Sequence, residues 1–413
     1  MPLADDPGEW WELLMGAPLD IAVGSYGLTE LQRELKAGAR AFAQRVLAPA
    51  AQEADRAGGD FPSAVLAEMA RAGFLGLDVP EEFGGQGLDT LTCAAILEEL
   101  AGGWFSSTIY AMNLATGPLL AAASGAQRAR YLPGICKGEL VPAFALTEAT
   151  GGSDAAAIRT RAVRDGSDYV ITGQKIFITN AHRADVLIVF ARLAGDERRG
   201  KGISIFLVEK GAQGLIIGQR FATLAHGANP IWEVVFDGCR IPAENLVGIE
   251  GEGFTYIQRD FAKIRAVYGS RCVGVAQAAF DYALQYINER TQFGQPVASF
   301  QGIRFKVADL VAKIEAARQL SYRAAVAADA LSPDAPAAAS MAKLFASSVA
   351  VEATGDALQM MGGHGYIKDH PLERYYREAK LFQIGDGTDQ MLRLLISRFA
   401  NQRAKDKQSA QLL

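Results

Sequence analysis

Ala162-Val163-Arg164-Asp165-Gly166-Ser167-Asp168-Tyr169-Val170-Ile171-Thr172 sets two β-favouring runs around an Asp-Gly turn. It decides the fold because the chain on either side carries helical periodicity. Strand-like runs continue at 175–179, 186–191, 203–208 and 232–236, with Phe144-Ala145-Leu146 upstream and Ile241-Pro242 and residues 248–253 closing the segment. On the N-terminal side, Thr29-x-x-Gln32 forms a capping box, and Leu31, Leu35, Phe42 and Val46 recur at helical spacing. Helices are expected over 61–72, 90–102, 106–123 and 126–138, whereas 78–88 is too rich in Gly and Pro and reads as a loop. On the C-terminal side the expected helices are 254–290, 299–331, 337–362, a short one near 373–381, and 388–403; four long antiparallel helices imply a bundle. The Ala-rich stretch 335–350 keeps an apolar helical face in Met341, Leu344, Phe345 and Val349 and reads as a core helix.

The expected fold class is therefore α+β multidomain. An extension covers 1–26, an N-terminal α-helical domain 27–140, a middle β-barrel-like domain 141–253, and a C-terminal four-helix bundle 254–413. A chain of 413 residues, 50% hydrophobic and 21% charged, is long enough for several sizeable cores. The net charge of −5 argues against nucleic acid or an anionic membrane as partner. Cys93, Cys136, Cys239 and Cys272 lie far apart, which fits buried free thiols in a reducing compartment better than a disulfide framework or a zinc site. His182, His226, His364 and His370 lack ligand spacing, so no metal is expected. Met1 to Gly24 has neither a basic n-region nor a sustained apolar run, and no segment is long enough to insert in a membrane; a cytoplasmic location is expected.

Ile384-Gly385-Asp386-Gly387-Thr388-Asp389-Gln390 places a carboxylate between two glycines at the start of a helix. Glycines there free the backbone for φ > 0 and close approach, and Thr388 or Asp389 can cap the helix. The turn looks built to present Asp386. Three other segments accompany it: 144–154 (Phe144-Ala-Leu-Thr-Glu-Ala-Thr-Gly-Gly-Ser-Asp154), Arg290-Thr-Gln-Phe-Gly294, and Gln359-Met-Met-Gly-Gly-His-Gly365.

With these segments in this order, the sequence resembles the acyl-CoA dehydrogenase family of flavoproteins over about residues 27–403. The resemblance implies helices, β-barrel and helix bundle in that order, with FAD between the β-domain and the bundle and a neighbouring subunit completing the site. It implies that Phe144, Leu146 and Thr147 lie at the flavin ring and that Ser153 touches a flavin phosphate or the CoA moiety. Phe177 and Thr179 would face the flavin, with Phe where the family more often has Trp; the alternative for Phe177 is plain core. Arg290, Gln292 and Phe293, at the end of a long helix, match residues at a partner's FAD pyrophosphate, although a C-terminal arginine also suits the helix dipole. Gln359, Gly362 and Gly363 match the same region, and Thr388 and Gln390 match contacts to FAD adenosine across the subunit boundary. A homotetramer is implied, with electron-transferring flavoprotein as electron-accepting partner.

Asp386 occupies the family's base position, where most members have Glu, and would take the α-proton of an acyl-CoA thioester while hydride passes to flavin N5. Ile264 stands at the alternative base position and cannot act. Phe261, Arg265, Gly385 and Gly387, with Ser153, match substrate contacts, while Ala262 replaces a commonly acidic residue. Gly385 stands where straight-chain enzymes carry a bulky residue, so space beside Cα is expected. With the shorter base, this suggests a branched or alicyclic substrate such as cyclohexanecarboxyl-CoA. The alternatives are a nitroalkane oxidase-like flavin oxidase, which also uses Asp, a dehydrogenase acting on a carrier-protein thioester, and a non-catalytic acyl-CoA-binding relative, against which Asp386 argues.

Overall fold

In the computed structural model, residues 27–196 and 200–411 are described, with side chains to Lys405. The extension expected at 1–26 lies outside them. The N-terminal helices are α1 (Glu30–Phe42), continued by a π-turn over Ala43–Leu47 into α2 (Ala48–Ala57), then α3 (Ser63–Arg71), α4 (Thr90–Trp104), α5 (Thr108–Ala111), α6 (Thr116–Ala122) and α7 (Gly125–Cys136). The Thr29/Gln32 capping box is made in both directions. A single helix over 106–123 does not form. Met112 is extended, and the Asn113 side chain accepts from Ala115 N at 2.8 Å while its carbonyl accepts Thr116 Oγ1 at 2.7 Å, so a turn outcompetes the helix.

The middle segment holds β1 (Pro142–Ala145), β2 (Arg161–Asp165), β3 (Asp168–Thr179), β4 (Val186–Leu193), β5 (Ile203–Glu209), β6 (Leu215–Phe221), β7 (Ile231–Pro242) and β8 (Leu246–Val247). They hydrogen-bond in the order β6-β7-β3-β2-β4-β5-β8, with β1 parallel to β4. Two runs read separately, 169–172 and 175–179, are one strand, because an irregularity around Gly173 absorbs the break. β6 was not expected from the sequence, and its residues are mostly part-exposed along an edge, so it carries little apolar alternation. Alternate residues of β4 serve two cores. Val186, Ile188 and Phe190 pack with Leu119 and Leu132 of the helices, while Leu187, Val189 and Ala191 pack with Phe206, Val234 and Phe236 inside the curled sheet.

The C-terminal segment contains α8 (Gly253–Glu289), a hairpin of β9 (Thr291–Gln292) and β10 (Gln295–Pro296), α9 (Gln301–Asp329), α10 (Ala335–Met361), α11 (Gly363–Tyr366), α12 (Leu372–Phe382) and α13 (Asp389–Gln411). Small residues let the helices approach: Ala276, Ala279 and Ala283 of α8 share one core with Ala346, Ala350, Ala353 and Ala357 of α10. Gln292 and Phe293 leave the helix end where the sequence placed them. Phe293 and Gly294 take φ +51° and +77° and form the two-residue turn of the hairpin. Among the described residues, no helix is long and apolar enough to cross a membrane.

Glu98 ties the N-terminal helices to the bundle. Its carboxylate, 3% exposed, accepts from Lys36 Nζ at 2.9 Å, Arg318 Nε at 2.9 Å and Tyr322 OH at 2.8 Å. Burial would raise its pKa, yet Arg318 and Lys36 outweigh that and pull it down to about 2. Its contribution to stability is therefore present above the ordinary Glu range and is lost as pH falls toward 2. Glu98→Ala should cost about 3–5 kcal/mol in chemical denaturation near neutral pH, since it removes the buried carboxylate that Lys36, Arg318 and Tyr322 share across the junction. A loss under about 1 kcal/mol would refute that account of the junction.

Candidate active site

α12 ends at Phe382, and the chain turns through Gln383 to Thr388 before α13 begins. Asp386 itself adopts the left-handed region, φ +52°, and Gly387 follows at φ +100°. A short polar side chain tolerates that conformation far better than a bulky one. Thr388 Oγ1 accepts Met391 N at 3.3 Å and so supplies a cap. Asp389 has a different place. It is 4% exposed, accepts Ser347 Oγ at 2.9 Å, and lies 3.6 Å from Lys343 Nζ.

Lys343 Nζ also donates to the Gly387 carbonyl at 2.8 Å, which fastens the turn to α10. From α8, Arg265 comes within reach of the same turn: a Cβ on Gly387 would lie 3.5 Å from Arg265 Nη2. The Arg265 guanidinium also stacks over Phe261, 4.7 Å from the ring centroid. Tyr268, one turn on, is 4% exposed, and Arg271 follows at 8%. Ile264 is buried at 7% in the core beneath the sheet.

Three cations thus surround Asp386, but among the described residues none closes to form an ion pair with it. Asp386 is half-buried. Desolvation raises the carboxyl pKa, with Arg271, Lys343 and Arg265 opposing. Burial in turn lowers the Arg265 and Arg271 guanidiniums, against the pull of Asp386. A carboxylate with a raised pKa and no fixed partner has the chemistry of a general base.

The space expected beside Gly385 is not open. A Cβ there would sit 3.2 Å from Tyr268 OH, so the glycine admits the tyrosine instead of leaving a void. Gly385→Ala should therefore cost about 1–3 kcal/mol in thermal or chemical unfolding, and Tyr268→Phe in the same background should recover part of it. Additive losses in that double mutant would show that the two positions do not meet.

A second group of residues gathers where β1 leaves the sheet. Leu146 is 7% exposed and follows β1, and the Thr147 carbonyl accepts Ile176 N at 2.9 Å, so the 146–147 segment is fastened beside β3. Buried Lys175 reinforces this by donating to Leu146 O at 2.9 Å and Glu148 Oε1 at 2.7 Å. Phe144 is partly buried against Phe190, with ring centroids 5.1 Å apart. Phe177 lies at a register shift of β3 with φ +59°, is 51% exposed, and has its ring tilted against Phe221 with centroids 5.1 Å apart. Thr179 lies beyond buried Ile178 and is also partly open. Phe177 is therefore not core. Gly152 and Ser153 are exposed at the tip of the preceding loop.

The remaining candidate residues stand elsewhere in the chain. Arg290, Gln292 and Phe293 are exposed past the end of α8, roughly 37 Å along its axis from Arg265 at 1.5 Å per residue. Gln359, Gly362 and Gly363 are exposed at the end of α10, and Gln390 on the first turn of α13. Cβ atoms on Gly362 and Gly363 would meet nothing within 4 Å, which leaves bare main chain for a ligand. Tyr268, Arg271 and Lys343 were not expected from the sequence. Their one signal was polarity on helix faces that otherwise read as core.

The family model for the acyl-CoA dehydrogenase N-terminal domain matches residues 29–139, that for the middle domain 143–239, and that for the C-terminal domain 251–400. The chain belongs to the acyl-CoA dehydrogenase family. It is 38% identical to an acyl-CoA dehydrogenase of Bacillus subtilis, over 90% of this chain and 98% of that one. It is 41% identical to cyclohex-1-ene-1-carbonyl-CoA dehydrogenase of Syntrophus aciditrophicus, over 90% of each, and 38% identical to isobutyryl-CoA dehydrogenase of Dictyostelium discoideum, over 91% and 90%. Butyryl-CoA dehydrogenase from Megasphaera elsdenii superposes with a TM-score of 0.86 at 33% identity, over 91% and 99% of the two chains. A glutaryl-CoA dehydrogenase from Mycobacterium smegmatis in complex with FADH2 superposes with a TM-score of 0.86 at 25% identity, over 93% and 98%. The chain is thus an oxidoreductase that uses FAD to dehydrogenate acyl-CoA. The open aromatic face of Phe177 and the bare glycines at 362–363 fit that cofactor.

Proposed function

We propose that this acyl-CoA dehydrogenase acts on a thioester branched or alicyclic at Cα, of the cyclohexanecarboxyl-CoA kind, with Asp386 as the α-proton base. The observation that carries the reading is the half-buried Asp386 carboxylate, without an ion-pair partner among the described residues, on a left-handed turn gripped by Lys343. Desolvation strengthens the carboxylate as a proton acceptor, and the three cations limit the rise so that an ionised form remains available. Phe261, Arg265, Gly385, Gly387 and Ser153 would position the thioester. When bound, FAD supplies the acceptor for the β-hydride.

Phe144, Leu146, Thr147, Ser153, Phe177 and Thr179 would hold the flavin end of FAD. Arg290, Gln292, Phe293, Gln359, Gly362, Gly363, Thr388 and Gln390 would hold the diphosphate and adenosine of a neighbour. The separation of Arg290 from Arg265 along α8 supports that division between subunits of a homotetramer. Arg290→Ala should release FAD at least tenfold more readily on dilution, with helix content unchanged, because an exposed guanidinium stabilises a diphosphate without serving its own chain's fold. Unchanged retention would remove Arg290 from the cofactor site.

The relatives named for a cyclohexenyl and an isobutyryl thioester support substitution at Cα, and an Asp base, one methylene shorter than Glu, is consistent with a differently seated α-carbon. Electrons would pass onward to an electron-transferring flavoprotein. Anaerobic stopped-flow mixing of the holoenzyme with cyclohexanecarboxyl-CoA, isobutyryl-CoA, butyryl-CoA and a nitroalkane tests the whole reading. The ring or branched thioester should bleach the flavin fastest, and electron-transferring flavoprotein should reoxidise it faster than O₂. Fastest bleaching by butyryl-CoA would reject the substrate class, and bleaching by the nitroalkane alone would reject the dehydrogenase.

A further inference from the structure

Arg271 has hydrogen-bonding capacity that the fold leaves unused. It lies three residues beyond Tyr268 on α8, on the adjoining helix face. The side chain is 8% exposed and makes one hydrogen bond among the described residues, from Nη2 to the Met112 carbonyl at 3.0 Å. Its Nε–H is buried and meets no acceptor among the described residues. Within the described residues no carboxylate reaches ion-pair distance, and the acidic group it feels most strongly is Asp386. A guanidinium offers five N–H donors, and a buried one with a single neutral acceptor is costly to the folded protein. Packing does not explain its retention, because an apolar side chain of similar volume would avoid the penalty. Such an orphaned donor in a native fold calls for a missing acceptor.

The position says where that acceptor sits. Asp386 is the acidic group that acts most strongly on Arg271. Arg271 Nη2 meets Met112, in the break between α5 and α6 where the N-terminal helices contact α8. Tyr268 fills the space beside Gly385, and Arg271 is the cation that acts most strongly on the Asp386 carboxyl, so an acyl group whose α-carbon meets Asp386 would extend within reach of Arg271. Phe105 and Phe382 pack around Tyr268 and give this region apolar walls. Beside these walls, the unmet Nε–H of the Arg271 fork favours a ligand that brings an oxygen to it.

We propose that Arg271 is a specificity-determining residue, and that the natural acyl group carries an acceptor oxygen on its ring or chain, remote from the thioester, which takes the free Nε–H. The inference rests on Asp386 as the base. Hydroxyl, oxo and carboxylate substituents share the required acceptor chemistry. A site with a buried unpaired donor discriminates strongly against analogues that lack the partner, because those analogues leave the donor desolvated and unmet.

The test compares cyclohexanecarboxyl-CoA with 4-hydroxycyclohexanecarboxyl-CoA, 4-oxocyclohexanecarboxyl-CoA and glutaryl-CoA, using wild-type, Arg271→Met and Arg271→Lys holoenzymes. Rates come from anaerobic flavin reduction. Binding comes from the flavin spectral shift in an Asp386→Asn background, which reports on Arg271 even if Asp386 proves not to be the base. At least one oxygenated thioester should bind at least tenfold tighter than cyclohexanecarboxyl-CoA to the Asp386→Asn protein. Arg271→Met should abolish that preference while cyclohexanecarboxyl-CoA binds as well or better, and Arg271→Lys should retain a fraction. A neutral oxygen preferred over glutaryl-CoA identifies a hydroxyl or oxo acyl group, and the reverse identifies a dicarboxylic one. Equal loss across all four thioesters in both Arg271 variants, with a displaced pH profile, would show that Arg271 acts only through Asp386 and would overturn the proposal. So would tighter binding of cyclohexanecarboxyl-CoA than of every oxygenated thioester. If Arg271→Met fails to retain flavin, the Lys variant carries the comparison.

Discussion

Asp386→Asn holoenzyme is expected to keep its flavin and bind acyl-CoA, yet to reduce the flavin 10²–10⁴-fold more slowly, since an amide cannot accept the α-proton. Asparagine tolerates the left-handed conformation at φ +52° as well as aspartate does, so the turn is preserved. Stability should move the other way. Burial raises the Asp386 pKa, so the folded state binds this proton more tightly than the unfolded state. The group therefore costs the protein stability as pH rises through the interval between the unfolded and folded pKa values. Asparagine removes that cost, and its melting temperature at neutral pH should equal or exceed the wild type's. In the wild type, kcat/KM should fall as pH drops below the raised carboxyl pKa, and that acid limb should vanish in the residual activity of the variant. Near-normal flavin reduction by Asp386→Asn would eliminate Asp386 as the base.

The long helices and the turn at 384–390 were legible because their signals are local. Thr29 and Gln32 lie within one turn, and Gly385, Asp386 and Gly387 are consecutive. The β-segment was legible where both faces of a strand are buried, as in β4, and illegible at β6, where an edge gives no alternation. Phe177 was undecided for a related reason. A register shift and a positive φ turn it outward, and neither feature is written in the run Lys175-Ile-Phe-Ile-Thr179. Gln292 and Phe293 looked like a helix end because the Phe-Gly dipeptide is a weak turn signal, whereas the hairpin needs β10 to pair with. The largest omission concerned Tyr268, Arg271 and Lys343. Each reaches the Asp386 turn from a helix distant in sequence, and only the packing of α8 and α10 brings them together. The inference that Gly385 leaves room failed on the same ground, since the tyrosine that fills the space is more than a hundred residues away.

Lys343→Met should damage both the fold and the chemistry, by separable amounts. The lysine side chain is fully buried, donates to the Gly387 carbonyl at 2.8 Å, lies 3.6 Å from Asp389, and sits 5.6 Å from the centre of the Tyr268 ring. Methionine fills the volume but leaves the Asp389 carboxylate with the Ser347 hydroxyl as its remaining side-chain partner, a loss of about 3–5 kcal/mol for a broken buried pair. It also frees the turn, and a displacement of about 1 Å at the base is enough to slow reaction roughly 10²-fold. Asp389→Asn in the Lys343→Met background should recover much of the stability, because the stranded charge is gone, without restoring the grip on Gly387 or the rate. The pH profile separates position from charge. Lys343 opposes the desolvation of Asp386, so its removal should raise the Asp386 pKa further and carry the acid limb of kcat/KM to higher pH in both the single and the double variant. An acid limb that stays at its wild-type pH, with the rate restored by Asp389→Asn, would mean that Lys343 serves the core alone and does not act on the base.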